Sequence, residues 1–240
     1  MKEKLIVLGA GESGIGAAIL GKQKGYEVFL SDANEIPVSL QNILNDKGIL
    51  WESGQHSLSS MEGASIAVKS PGIPGNIPLL NGLRAKGTRI ISEIEFAAQS
   101  TSATLIGITG TNGKTTTTMM TYEILKNAGL NVGLAGNIGS SFAKQVAEED
   151  YEFYVLEISS FQLDDIDQFA PHIALITNIT PDHLDRYDYS FEAYIQAKLK
   201  ITKNQSSKNF FLFNADDEIL VSALKDHKTN AQTVSFGSNP

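Results

Sequence analysis

Two glycine-rich turns, each set between an aliphatic run and an amphipathic stretch, constrain this 240-residue chain more than any other feature. The first is Gly9-Ala10-Gly11-Glu12-Ser13-Gly14, preceded by Leu5-Ile6-Val7-Leu8. The second is Gly107-Ile108-Thr109-Gly110-Thr111-Asn112-Gly113-Lys114-Thr115-Thr116, preceded by Thr104-Leu105-Ile106. A strand, a glycine turn and a helix in that order open a βαβ unit, whose parallel strands are buried on both faces and read as continuous aliphatic runs. One such opening predicts one α/β unit, and two predict a tandem.

Periodicity along the chain agrees. Residues 5–8 read as strand, 17–24 as helix, 28–30 as strand, 41–47 as helix, 67–68 as strand into a Ser70-Pro71-Gly72 turn, 79–86 as helix and 89–91 as strand. Gln99-Ser100-Thr101-Ser102 is small and polar, as a linker is. The pattern then restarts, with strands at 104–108, 132–134, 154–158, 173–177, 210–213 and 233–236 and helices at 114–127, 191–202 and 218–225. The expected fold class is therefore α/β, with two tandem Rossmann-like or P-loop-like domains on mainly parallel sheets, divided as 1–99 and 100–240.

Charge and composition narrow the chemistry. With 19 Lys+Arg against 27 Asp+Glu and a net charge of -8, the surface is not built to neutralise nucleic-acid phosphates or an anionic membrane. No run of about 18 apolar residues exists to span a bilayer. The apolar run at 5–8 is too short for a signal peptide, being interrupted at once by glycines and Glu12. The absence of cysteine removes disulfides, thiolate metal ligands and a cysteine nucleophile together, and is compatible with a reducing cytoplasm.

The first turn fits G-x-G-x-x-G. Its first two glycines let backbone approach a diphosphate, its third permits close helix–strand packing, and the helix N-terminus supplies N–H donors. Asp32, near the end of the next strand, is placed to accept from a ribose hydroxyl or a base N–H. Taken alone the motif suits NAD, or serves only as a turn. The second turn ends in Gly113-Lys114-Thr115, the parts that a nucleoside triphosphate requires: an anion nest of backbone N–H groups, a lysine for the outer phosphates and a hydroxyl for Mg2+. Its glycines depart from G-x-x-x-x-G-K-[ST], because Ile108 stands five before Gly113, so it is a variant phosphate loop for ATP or GTP. A hydride-transfer enzyme does not account for it.

Beyond the turns, Glu157 closes a strand, where a carboxylate faces the ligand crevice of an α/β sheet and can hold Mg2+. Asp182, His183, Asp185 and Arg186 crowd one loop, whereas His56, His172 and His227 lack such company. Tyr194 and Lys198, four apart, share a helix face.

Together, Gly110-Thr111-Asn112-Gly113-Lys114-Thr115, Glu157-Ile158-Ser159-Ser160-Phe161-Gln162-Leu163 and Asn178-Ile179-Thr180-Pro181-Asp182-His183-Leu184-Asp185-Arg186 resemble the Mur ligases of peptidoglycan synthesis. With the first glycine turn, Ser70-Pro71-Gly72-Ile73 and Ala135-Gly136-Asn137-Ile138-Gly139, the resemblance is greatest to the branch that adds D-glutamate to UDP-N-acetylmuramoyl-L-alanine. It implies a bacterial cytoplasmic, monomeric ligase that uses ATP to phosphorylate the L-alanine carboxylate, the acyl phosphate then being attacked by the D-glutamate amine. ATP would lie on Gly110, Thr111, Asn112, Gly113, Lys114, Thr115 and Thr116. Glu12, Ser13 and Asp32 would contact the UDP portion, so the first turn would take a UDP diphosphate rather than NAD, and Gly11, Ala33, Asn34 and Gly72 would also bind substrate.

Asn137, Ser159, Gln162 and His183 match positions that touch the muramoyl substrate or its metal. Thr115 and Glu157 match ligands of one Mg2+ and His183 a ligand of a second, while Lys198 matches a lysine carbamylated by CO2 whose new carboxylate supports the metal site. Lys114, Glu157, His183 and Lys198 are thus the expected catalytic set. Where some relatives carry arginine two positions after the second-strand aspartate, this chain reads Asp32-Ala33-Asn34. The family's His-Asn-x-x-Asn adenine motif and its C-terminal amino-acid-binding domain are missing, which implies a chain that stops inside the second domain and ligates weakly or not at all by itself. The competing expectations are another Mur or folylpolyglutamate-type amide ligase, and a nucleotide-binding module without catalysis.

Overall fold

Strands with no exposed side chain need a neighbour on each edge and cover on each face, and the computed structural model, which describes residues 2–238, meets that need twice. One compact unit comprises the chain through Thr101 together with Ser140–Asp150, and the other comprises Ser102–Gly139 and the chain from Tyr151 onward.

In the first unit β1 (Lys4–Leu8), α1 (Glu12–Gln23), β2 (Glu27–Ser31), α2 (Val38–Asp46), β3 (Leu50–Glu52), β4 (Ala64–Lys69), α3 (Pro78–Ala85), β5 (Arg89–Ser92) and α4 (Glu93–Ala98) follow in order. The sheet runs β3-β2-β1-β4-β5, all parallel. Leu5, Ile6, Val7 and Leu8 of the central strand have no solvent exposure. On one side Ile6, Leu8 and Ala67 pack with Met61, Leu80 and Leu83. Strand order reverses between β1 and β4, so the glycine turn after β1 and the Ser70-Pro71-Gly72 turn after β4 meet at the switch point where such sheets bind ligands. Gly14 has the packing role anticipated for the third glycine: a Cβ there would fall 1.9 Å from the Gly9 carbonyl oxygen.

The second unit holds β6 (Thr104–Thr109), α5 (Lys114–Asn127) and β7 (Val132–Gly136). The chain then gives α6 (Phe142–Glu148) to the first unit before returning as β8 (Phe153–Glu157), α7 (Ser160–Asp164), β9 (Ile173–Ile176), α8 (Phe191–Leu199), β10 (Phe210–Asn214), α9 (Glu218–Leu224) and β11 (Gln232–Phe236). The sheet order is β11-β10-β9-β6-β8-β7, again all parallel. Ile106, Ile108, Val132 and Val155 form a core beneath Tyr122 and Leu125 of α5. Among the described residues no helix is long and apolar enough to cross a membrane.

The sequence reading gave no element to β3, α4, α6 or α7. These are three to seven residues long, too short to display a period. The expected helix at 191–202 ends at Leu199 and tightens into a 3-10 turn over Lys200–Thr202.

Segment Ser140–Asp150, inside the expected second-domain interval, packs with the first unit. There Phe142 and Ala143 are fully buried and α6 lies on α1 and α4. Its start is held by two glutamates. Glu12 Oε1 accepts the backbone N–H of Ser141 at 3.1 Å. Glu93 Oε1 accepts the Ser141 hydroxyl at 2.7 Å and the Ala143 N–H at 2.6 Å. Glu93 Oε2 is buried without a hydrogen-bond partner.

Burial, helped by the neighbouring charge of Glu12 and opposed by these hydrogen bonds, pushes the Glu93 carboxyl up to about 7. A raised carboxyl pKa means that the folded unit holds a proton that the unfolded chain releases above about pH 4.5. The resulting stabilisation is complete below that pH and is lost as pH rises through 7, a swing of ~3 kcal/mol. Glu93→Gln should flatten this decline, read as the urea midpoint of the first unit between pH 4.5 and 8. An unchanged pH slope would remove Glu93 as its source.

Candidate functional site

The glycine turn of the first unit is closed by Asp32. Its Oδ2 accepts the Ala10 N–H at 2.6 Å and its Oδ1 the Asn34 N–H at 2.8 Å, so the carboxylate shapes both the turn and the end of β2. Gly11, Glu12, Ala33, Asn34 and Gly72 are exposed around this end of the sheet and Ser13 is half-buried. Glu12, expected among the substrate contacts, also accepts the Ser141 N–H, a pairing that no linear motif displays.

The second turn is held from β9 and α8. Asn178 supports it from three atoms: its carbonyl accepts the Thr111 N–H at 2.9 Å, its side-chain oxygen the Asn112 N–H at 2.9 Å, and its Nδ2 donates to the Asn112 carbonyl at 2.9 Å. The Thr177 hydroxyl donates to the Asn112 carbonyl at 2.7 Å. Thr111 Oγ1 accepts the Thr180 N–H at 3.0 Å and donates to its carbonyl at 3.1 Å. Gly113, with φ 79, is the N-cap of α5, and the N–H groups of the first turn of α5, which have no intrahelical acceptor, form an anion nest. Lys114 Nζ reaches back to the Thr111 carbonyl at 2.8 Å, and Thr116 is exposed at the helix start.

Below the loop lies Glu157, 2% exposed at the end of β8. Thr115 Oγ1 donates to its Oε2 at 2.7 Å, and Asn137 Nδ2 to its Oε1 at 2.8 Å. Both partners are neutral, which leaves a buried carboxylate charge beside a hydroxyl oxygen. That donor set suits Mg2+, which binds through one or two carboxylates together with phosphate oxygens and water. Among the described residues no group of three or more His, Asp or Glu gathers to hold a metal by itself.

Lys198 is 2% exposed, with Nζ donating to the Gly110 carbonyl at 2.7 Å. Burial, together with the charge of Lys114 and against that of Asp182, pushes its pKa down to about 7. A substantial share of its amine is then neutral near pH 7.

His183 occupies the left-handed region, with φ 49, a conformation costly for a residue with a side chain and concentrated at functional sites. Its ring meets Phe161 edge-on at 5.2 Å, and its Nε2 stands 3.6 Å from Asp182 Oδ2. Arg186 covers the Phe161 ring at 4.4 Å. Ser159 and Gln162 form a reciprocal capping box at the start of α7, a structural role for two expected substrate contacts. Thr177, Asn178, Thr180 and Tyr194 were not among the expected site residues; the available signals were the position of the first three beside the polar 182–186 loop and the helix face that Tyr194 shares with Lys198.

A variant phosphate loop, a buried carboxylate beneath it and a preceding dinucleotide-type sheet define a nucleotide-phosphate-binding α/β protein. The Mur ligase middle domain matches residues 108–240, and the Mur ligase MurD-like N-terminal domain matches residues 3–92. The chain belongs to the Mur ligase family. It is 52% identical over 236 residues to the UDP-N-acetylmuramoylalanine–D-glutamate ligase of Bacteroides fragilis, covering 98% of this chain and 53% of that protein. To the ligase of the same name from Christiangramia forsetii it is 48% identical, with coverage of 98% and 53%. The chain thus spans about half the length of the curated relatives that it matches. In fold it is similar to UDP-N-acetylmuramate:L-alanyl-gamma-D-glutamyl-meso-diaminopimelate ligase from Neisseria meningitides, with a TM-score of 0.67, 20% identity and coverage of 97% of this chain and 78% of that one.

Gly110 tests the loop architecture. Its φ is +145, and a Cβ there would lie 1.9 Å from Thr177 Oγ1. Gly110→Ala should destabilise the second unit by at least ~2 kcal/mol. A thermal midpoint equal to that of the parent chain would contradict the packing described.

Proposed function

We propose that the protein to which this chain belongs joins D-glutamate to UDP-N-acetylmuramoyl-L-alanine at the expense of ATP, in the supply of peptidoglycan precursors in the bacterial cytoplasm. The observation that carries the proposal is the Thr115–Glu157 contact at 2.7 Å under the phosphate loop, a ready Mg2+ pair beside a nest for triphosphate. The choice of amino acid and sugar nucleotide is supported by the similarity to ligases of that name over 98% of the chain.

In this reading the loop from Gly110 to Thr116 surrounds the phosphates of ATP, the N–H groups of the first turn of α5 donate to them, and Lys114 turns from the Thr111 carbonyl to the outer phosphate. Thr115 and Glu157 hold Mg2+, with Asn137 fixing the carboxylate rotamer. His183 and Lys198, the latter as a carbamate, serve a second ion. The metals would supply charge neutralisation to the transferred phosphoryl group. Catalysis is then mainly positioning and electrostatic stabilisation. The γ-phosphoryl passes to the L-alanine carboxylate, ADP leaves, and the neutral amine of D-glutamate displaces phosphate to form the amide. Glu12, Ser13 and Asp32 contact the UDP portion, Gly11, Ala33, Asn34 and Gly72 belong to the same substrate-binding set, and Asn137, Ser159, Gln162 and His183 face the muramoyl group.

A full-length protein of the relatives' extent should release ADP only when UDP-N-acetylmuramoyl-L-alanine and D-glutamate are both present. ADP release with a different amino acid, and none with D-glutamate, would assign it to another amide ligase. Lys198→Ala in that protein should cut turnover by roughly 100-fold or more, with partial recovery on adding acetate or formate. Unchanged turnover would exclude the carbamate.

A further inference from the structure

Tyr194 is 1% exposed, and a core position of that kind is ordinarily filled by phenylalanine unless the hydroxyl has a partner. Here its OH lies 3.1 Å from Thr111 Oγ1. A threonine hydroxyl has one proton and two lone pairs. Thr111 spends the proton on the Thr180 carbonyl and one lone pair on the Thr180 N–H, so the remaining lone pair takes the Tyr194 proton and completes the set. The ring face of the same tyrosine lies against Lys198, with Nζ 4.6 Å from the ring centroid. Tyr194 and Lys198 stand one turn apart on α8 and grip two consecutive loop residues, Thr111 and Gly110. Behind the ring, Tyr187 packs edge-on at 5.5 Å and Phe191 stacks at 6.4 Å, so the ring has little freedom to turn.

We propose that Tyr194 is a positioning residue for the phosphate loop, fixing Thr111 through its hydroxyl and Lys198 through its ring face. The two attachments are chemically separable, which distinguishes a clamp from general core packing. The proposal rests on the reading that this loop receives the phosphates of ATP. Its functional consequence is that the loop is held in shape before nucleotide arrives, so that less ordering accompanies binding.

Amide hydrogen exchange on the 240-residue chain tests the clamp without needing a ligand. In Tyr194→Phe, residues 110–113 and 179–182 should exchange ~5-fold faster, the worth of one hydrogen bond, while β10 and β11 keep parental protection. Tyr194→Leu should add a further local loss around Gly110 that the phenylalanine variant does not show. Made in a Thr111→Val background, Tyr194→Phe should add nothing. Parental exchange in Tyr194→Phe, additive effects with Thr111→Val, or a loss spread evenly over the second unit would each overturn the proposal. In parallel, calorimetry with the Mg2+ complex of β,γ-imido-ATP should show weaker binding by Tyr194→Phe. Failure of the parent chain to bind that analogue would strike the ATP reading, while the exchange data would still decide the role of Tyr194.

Discussion

The arrangement of the second unit turns on one buried carboxylate. Glu157 takes a hydroxyl proton from Thr115 on α5 and an amide proton from Asn137 after β7, while its own backbone carbonyl accepts the Asn137 N–H at 2.8 Å. Two segments that leave the sheet at its carboxyl end, the start of α5 and the turn after β7, are thereby tied to the end of β8. A charge in that position is costly unless satisfied, and its partners here are neutral. The same group that organises the crevice therefore leaves it electrostatically prepared for a cation.

Around this centre the phosphate loop is held by side chains from other elements more than by its own sequence. Asn178 and Thr177 support Asn112, Thr180 and Tyr194 share the Thr111 hydroxyl, and Lys198 binds Gly110. Desolvation of Lys198 and the left-handed backbone of His183 are two local energetic costs.

Both sheets were legible in the sequence because a doubly covered parallel strand has an unmistakable signature, seen in Leu5–Leu8 as it was in the run before Gly107. The phosphate loop was legible for a different reason: Gly113-Lys114-Thr115 is a chemical requirement expressed over adjacent residues. What escaped depended on distance along the chain. Asn178 supports a loop 66 residues away, and Glu93 meets Ser141 across 48. No periodicity announces such pairings, since hydrogen bonds between remote loops leave no local trace. Short elements such as α6 and α7 escaped as well, being defined by caps and tertiary burial rather than by an amphipathic repeat. Asp32 and Glu12 were noticed as polar residues near a ligand turn, but sequence could not reveal that Asp32 braces that turn through Ala10 or that Glu12 holds Ser141 at the start of α6.

The path of the backbone also limits how this protein can be taken apart. The chain passes from one unit to the other at 101/102, at 139/140 and at 150/151, so neither unit is a single continuous stretch. A recombination event or an expression boundary placed at the obvious polar linker near residue 101 would separate the first sheet from α6. Glu93 would lose both of its donors, and the recess that receives Phe142 would lie open to water. The two sheets resemble independent modules in pattern, yet in connectivity neither unit can be cut out whole at a single boundary.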